Sequence, residues 1–210
     1  MGLDYTIRTY TKKENLSKVL VWLGKNSWAN QEKLTFYIGH NQLYVNGHEL
    51  KIDGKKAKDN DCFISANNIS FLTSLIFDID SEIVASFEDD FFPDFEHLAE
   101  CILENGKIRV GGFDCYISES ENSDFFQISL HAVTSKMSIM LARSQSVKRW
   151  IIEFSIACEA ILSFVDQESS ERIIYFYNGK STHITIPNDF DEEDKKDFKN
   201  LLGDYFELGT

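Results

Sequence analysis

Proline, paired cysteines, linker-like stretches and long apolar runs are all scarce in this 210-residue chain, and each scarcity removes a class of protein. Only two prolines occur, Pro93 and Pro187, and no Gly/Ser-rich or low-complexity stretch separates one part of the chain from another. The expectation is one compact domain over residues 1–210, or two closely packed halves, 1–80 and 81–210. Cys62, Cys101, Cys115 and Cys158 form no CxxC pair, have no histidine at ligand spacing, and sit among apolar neighbours. That is the pattern of buried free thiols in a reducing, cytoplasmic setting rather than of disulfides or a metal site. The longest apolar stretch, Val147 to Val165, is interrupted by Lys148, Arg149, Glu153 and Glu159. A membrane span needs about 20 mostly uncharged residues, so this stretch reads as a core helix and no membrane partner is expected. The opening MGLDYTIRTY lacks an apolar run of signal-peptide length and reads as a strand.

Basic residues are missing from one region above all. Residues 61–135 hold 15 acids against Lys107 and Arg109, a net of −13, which equals the net charge of the whole chain. Residues 1–60 are +4 and residues 136–210 are −4. Acids concentrated in this way attract basic partners and repel nucleic acid and anionic membranes. The run Lys51, Lys55, Lys56 and Lys58 is the one basic patch, and a solvated loop accounts for it.

What is present is a large apolar and aromatic content, 43% hydrophobic with 17 Phe and 8 Tyr, ample for a folded core. Alternation predicts strands at Tyr5–Tyr10, Leu34–Ile38, Leu43–Val45, Glu49–Ile52, Glu82–Phe87 and Phe125–Val133. Asn46–Gly47, Gly111–Gly112 and Asn178–Gly179 read as hairpin turns. Helices are predicted at Lys13–Lys25, Asn68–Phe77, Asp94–Glu104, Ser146–Gln167 and Asp189–Phe206, and Met137–Leu141 reads as a further strand. The expected class is α+β: mainly antiparallel sheet built from hairpins with four to five helices packed on them. Strand, helix and hairpin recur at 5–52, 82–118 and 125–186, as a repeated β-α-β-β unit would.

No motif names a chemistry. There is no G-x-S-x-G, no H-E-x-x-H and no phosphate-cradling glycine loop, and no catalytic, metal or cofactor-binding residue is assigned. The cluster Glu88, Asp89, Asp90, Asp94, Glu96 and His97 has the chemistry of a hard divalent-ion site, hence a carboxylate-dependent hydrolase as the alternative. Its spacing matches no twelve-residue calcium loop, and acids also favour a helix start. Phenylalanines interleave with these acids at Phe91 and Phe92, and Glu119, Glu121 and Asp124 form a second acidic loop. Acids around apolar anchors suit a surface for a basic protein, with charge speeding association and rings slowing dissociation. In composition, size and lack of catalytic motifs the chain resembles bacterial immunity proteins, small acidic inhibitors that block the active site of a cognate toxin. That resemblance implies a basic protein partner, a bacterial toxin. Its substrate groove would be filled by Glu88, Asp89, Asp90, Phe91, Phe92, Asp94, Glu96, Glu119, Glu121 and Asp124.

Overall fold

Twelve strands and five α-helices make up the described part of the chain, residues 3–58, 60–63, 68–87, 98–119, 125–167 and 171–187 of a computed structural model. Strands take 52% of those residues and helices 28%, so the sheet sets the architecture. The α+β expectation, with helices packed on hairpin sheets in repeated β-α-β-β units, is corrected by this arrangement.

The order is β1 (Thr6–Lys12), α1 (Leu16–Asn26), β2 (Lys33–Ile38), β3 (Asn41–Asn46), β4 (His48–Ile52), β5 (Lys55–Lys56), β6 (Asp61–Phe63) and β7 (Asn68–Asp78). After these come α2 (Ser81–Ala85), α3 (Leu98–Cys101), β8 (Lys107–Glu119), β9 (Phe125–Ala132), α4 (Ser135–Arg143), α5 (Gln145–Ala157), β10 (Ala160–Asp166), β11 (Glu171–Tyr177) and β12 (Lys180–Pro187). Nine strands form an antiparallel sheet in the order β12-β11-β10-β1-β9-β8-β7-β4-β5, and β3-β2-β6 form a small second sheet. The first strand thus lies inside the large sheet, between β10 and β9, bridging a meander that precedes α4 and one that comes after α5. No helix among the described residues is long and apolar enough to cross a membrane.

Three differences from the sequence reading break the expected repeat. The predicted helix at 68–77 is β7, whose Ile69, Phe71 and Thr73 are buried at alternate positions. Its apolar spacing fits both periods, and β-branched and aromatic residues decide for the strand. The predicted strand at 82–87 begins as α2, started by the Asp80 side chain accepting from the Ile83 N–H. Likewise Thr134 caps α4 through the Met137 N–H, so Met137–Leu141 is helical.

The long helix expected from 146 to 167 stops at Ala157. Glu159 adopts a positive φ of 49° and Ala160–Asp166 return as β10 beside β1. Both faces of β10 are buried, which gives an unbroken apolar run that looks helical in sequence. Nor does Gly111–Gly112 turn a hairpin. It is a bulge inside the 13-residue β8, where the two glycines oppose Ser74 alone. Asn46–Gly47 is also no hairpin, because β3 and β4 belong to different sheets. A Cβ on Gly47 would lie 2.5 Å from the Leu72 carbonyl oxygen, so only glycine lets the chain cross there. Asn178–Gly179 does turn the β11–β12 hairpin. Part of the helix expected at 94–104 and all of that at 189–206 lie outside the described residues.

One face of the large sheet is covered. Ile7, Phe77, Phe113, Cys115 and Leu130 pack with Leu20 and Leu23 of α1, Met140 of α4, Trp150 and Phe154 of α5, and Leu34, Phe36 and Val45 of the small sheet. Buried hydroxyls stitch α5 to the sheet, with Ser155 Oγ 2.7 Å from Ser163 Oγ and Thr9 Oγ1 2.9 Å from the same atom. The opposite face carries a smaller cluster, Tyr10, Leu162, Phe164, Ile174 and Ile186, and beside it a polar concavity.

Candidate functional site

Antiparallel register lays a row of polar side chains across five strands on that opposite face. Asp114 of β8 stands opposite His131 of β9, His131 opposite Thr6 of β1, Thr6 opposite Asp166 of β10, and Asp166 opposite Arg172 of β11. Side chains on paired residues share a face, so the row is continuous. The next row holds Tyr116, Ser129, Arg8 and Phe164. Together with Asp4, Ala132 and Val133, most of these residues line a concavity of about 750 Å³, within the size range of ligand-binding clefts.

The two ends of the row differ in character. At the β10–β11 end, Asp166 takes Arg8 Nη2 at 3.2 Å, with Arg172 Nε 3.9 Å away, and Arg172 also lies over the Phe164 ring. Asp166 and Arg172 are both buried, so this end is an internal ion-paired network. At the β8–β9 end, Thr6 Oγ1 and His131 Nδ1 are 2.9 Å apart and the Tyr116 ring meets the imidazole edge-on at 5.1 Å. Burial and the nearby Arg8 push His131 below the usual imidazole range, outweighing Asp114, Asp4 and Asp166. Its neutral form is favoured at pH 7. Asp114 makes no ion pair among the described residues, and Tyr116 is 44% exposed.

The bulge at Gly111–Gly112 sits at the rim of this end. Gly112, at φ 77°, brings the backbone against Val133, which lines the concavity. A bulge bends its strand and re-aims the side chains beyond it, here Asp114 and Tyr116.

Of the residues expected to bind a partner, Glu88, Asp89, Asp90, Phe91, Phe92, Asp94, Glu96, Glu121 and Asp124 lie outside the described residues. Glu119 is described: it ends β8 and forms an ion pair with Lys13. Residues 88–97 connect α2 to α3, and α3 packs near the Lys107 end of β8 through the Ile102–Ile108 bridge. Residues 120–124 connect the other end of β8 to β9. Among the described residues no three His, Cys, Asp or Glu side chains gather as metal ligands do. All four cysteines are free and buried.

Sequence reading placed His131 on a strand but missed Thr6, Arg8, Asp114, Asp166 and Arg172 as its company. The available signal was polar residues at alternate positions, Thr6-x-Arg8 and Asp114-x-Tyr116. Asp166 carried none, because its segment read as a helix.

No protein-family model and no curated protein matches the chain. Among solved structures it is similar to a chain of the toxic C-terminal tip of CdiA from Pseudomonas aeruginosa in complex with immune protein. The TM-score is 0.41 at 10% identity, over 87% of this chain and 98% of that one. A likeness that low carries no argument about this chain.

Proposed function

We propose that the protein binds and neutralises a basic protein partner, as an immunity protein occludes the active site of a toxin. The observation that carries this reading is the fate of the two bases within the acidic stretch. Lys107 lies 3.6 Å from Asp78. Arg109 is buried, with its guanidinium 4.0 Å from the centre of the Trp28 ring and Nη2 donating to Cys101 Sγ at 3.4 Å. Both bases of residues 61–135 thus have partners within the fold. With 15 acids against these two, the stretch keeps a large surplus of negative charge, which supports an anionic field. Glu119 pairs with Lys13 in a part-exposed bridge. Such pairs are worth only about 0–1 kcal/mol, so a partner's cation can displace the lysine.

In this reading Glu88, Asp89, Asp90, Asp94 and Glu96 stand in for substrate phosphates in the partner's groove, and Phe91 and Phe92 provide apolar anchors. Close charge pairs across such an interface couple by roughly 1.5–7 kcal/mol. The test is capture of partners from the native host by the wild type and by the triple variant Asp89→Lys, Asp90→Lys, Asp94→Lys. The expected result is a basic protein held by the wild type, released by added salt and lost from the variant. Equal capture by both, or salt-independent binding, overturns the role of this segment.

A further inference from the structure

The cavity on this face of the sheet has a chemistry of its own. We propose that its β8–β9 end is a receptor for a single arginine side chain, seated between the Asp114 carboxylate and the Tyr116 ring beside His131. The occupant is an arginine of the basic partner, so the inference rests on the neutralising role proposed above.

Three features select a guanidinium. Asp114 and Tyr116 are two residues apart on one strand and therefore project from the same face. Asp114 has no ion pair among the described residues, and Tyr116 keeps 44% of its surface open. A carboxylate next to an accessible aromatic face matches the planar fork of arginine, which can make two parallel hydrogen bonds to the oxygens while lying on the ring. His131 stands at the same end with Thr6 on its Nδ1 and the Tyr116 ring against it, and its preferred form there is uncharged, so it does not repel an incoming cation.

The other end explains why an anion is the poorer occupant. Arg8 and Arg172 both approach Asp166, and Arg172 is only 5% exposed. Recruiting them to a phosphate or carboxylate would pull them off a buried carboxylate, which is strongly unfavourable once its partners leave. With His131 uncharged, Asp4, Asp114 and Asp166 outnumber the two arginines in the lining.

The test is a nuclear magnetic resonance titration of the full chain with Nα-acetyl-arginine methylamide, with the lysine analogue and sodium acetate as comparison probes. The expected result is saturable shifts confined to Tyr116, His131, Ala132 and Val133 on adding the arginine compound, with the lysine analogue weaker and acetate silent. Asp114→Asn, which changes charge but little shape at a part-exposed position, is expected to weaken binding by about tenfold or more. Tyr116→Ala is expected to remove the preference for arginine over lysine. Absence of saturable shifts, unchanged binding by Asp114→Asn, or a response to acetate at the same residues overturns the assignment. Arginine binding in a protein that captures no basic partner supports the cavity and overturns the neutralising role. Capture of a basic partner without any arginine response overturns the cavity alone.

Discussion

Ser144 Oγ donates to Asp80 Oδ2 at 2.6 Å, joining the starts of two helices that lie 64 residues apart in sequence. The same oxygen accepts from the Ser146 N–H at 2.9 Å, while Oδ1 accepts from the Ile83 N–H at 2.9 Å. One carboxylate thus caps α2 directly and secures the first turn of α5, whose own cap is Ser144 on the Val147 N–H. Burial alone would raise Asp80, but the Ser144 hydroxyl and the N–H groups of Ser146 and Ile83 outweigh it and hold the acid below its usual range.

Removing this carboxylate is expected to loosen both helices together. Asp80→Ala should cost about 1–3 kcal/mol in urea denaturation, whereas Asp80→Asn, which keeps an acceptor for Ile83, should cost less. The native acid is easier to ionise than the unfolded one, so its contribution is present above the unfolded pKa and lost as pH falls through the folded one. Equal stability of Asp80→Ala and wild type would contradict the double cap.

The bulge in β8 gives a test of coupling. A Cβ on Gly112 would meet Val133 Cγ2 at 2.7 Å, and the residue's φ is 77°. Gly112→Ala is expected to lose about 1–3 kcal/mol from the sum of backbone strain and crowding. Val133→Ala in the same chain should recover the crowding share and leave the strain. In a double-mutant cycle the two changes should therefore be non-additive by about 0.5 kcal/mol or more. Strict additivity would mean that Val133 simply swings aside.

His131 predicts a loss of stability in mild acid. Its imidazole takes a proton less readily when folded than the ordinary value of about 6.5. Between those two values the unfolded chain binds more protons, so stability falls as pH drops below about 6.5 and is insensitive to this group above it. Arg8 faces the ring as a cation, and Asp114, Asp4 and Asp166 as partly compensating acids. Denaturation midpoints of wild type and His131→Gln should diverge less below about pH 6.5 than above it, as the wild type gives up its advantage. A wild-type curve parallel to that of the variant would place the imidazole in solvent.

The cysteines should be silent in the native protein. Burial, with Asp53 adding to it, pushes Cys62 up to about 11, and burial raises Cys115 and Cys158 further. Only thiolates react readily with disulfide reagents, so none of the four thiols should react with Ellman's reagent before urea is added, and all four should afterwards. Fast modification of even one in the folded chain would mark an opening that the packing does not show.

Elements whose signals sit within a few residues were legible in advance. The stripe Leu16, Val19, Leu20 and Leu23 is the buried face of α1, and Asn178–Gly179 turns its hairpin with both residues at positive φ. Elements whose character depends on distant neighbours were not. Gly111–Gly112 looks like a turn until β7 is laid beside it, and Ala160–Asp166 looks helical until β1 and β11 pair with it. The candidate cavity belongs to this second group, because its polar row joins residues between Thr6 and Arg172 that meet only in the finished sheet.

Composition by itself determined the concentration of acid in the middle of the chain, the absence of recognisable catalytic motifs and the free state expected of the thiols. These are properties of residue identity and survive any arrangement of strands. The tertiary structure alone decided which strands lie side by side, where β8 bulges, and that both bases of the acidic stretch are committed within the fold. Pairing register is set by burial summed over whole strands, and no short window of sequence contains that sum.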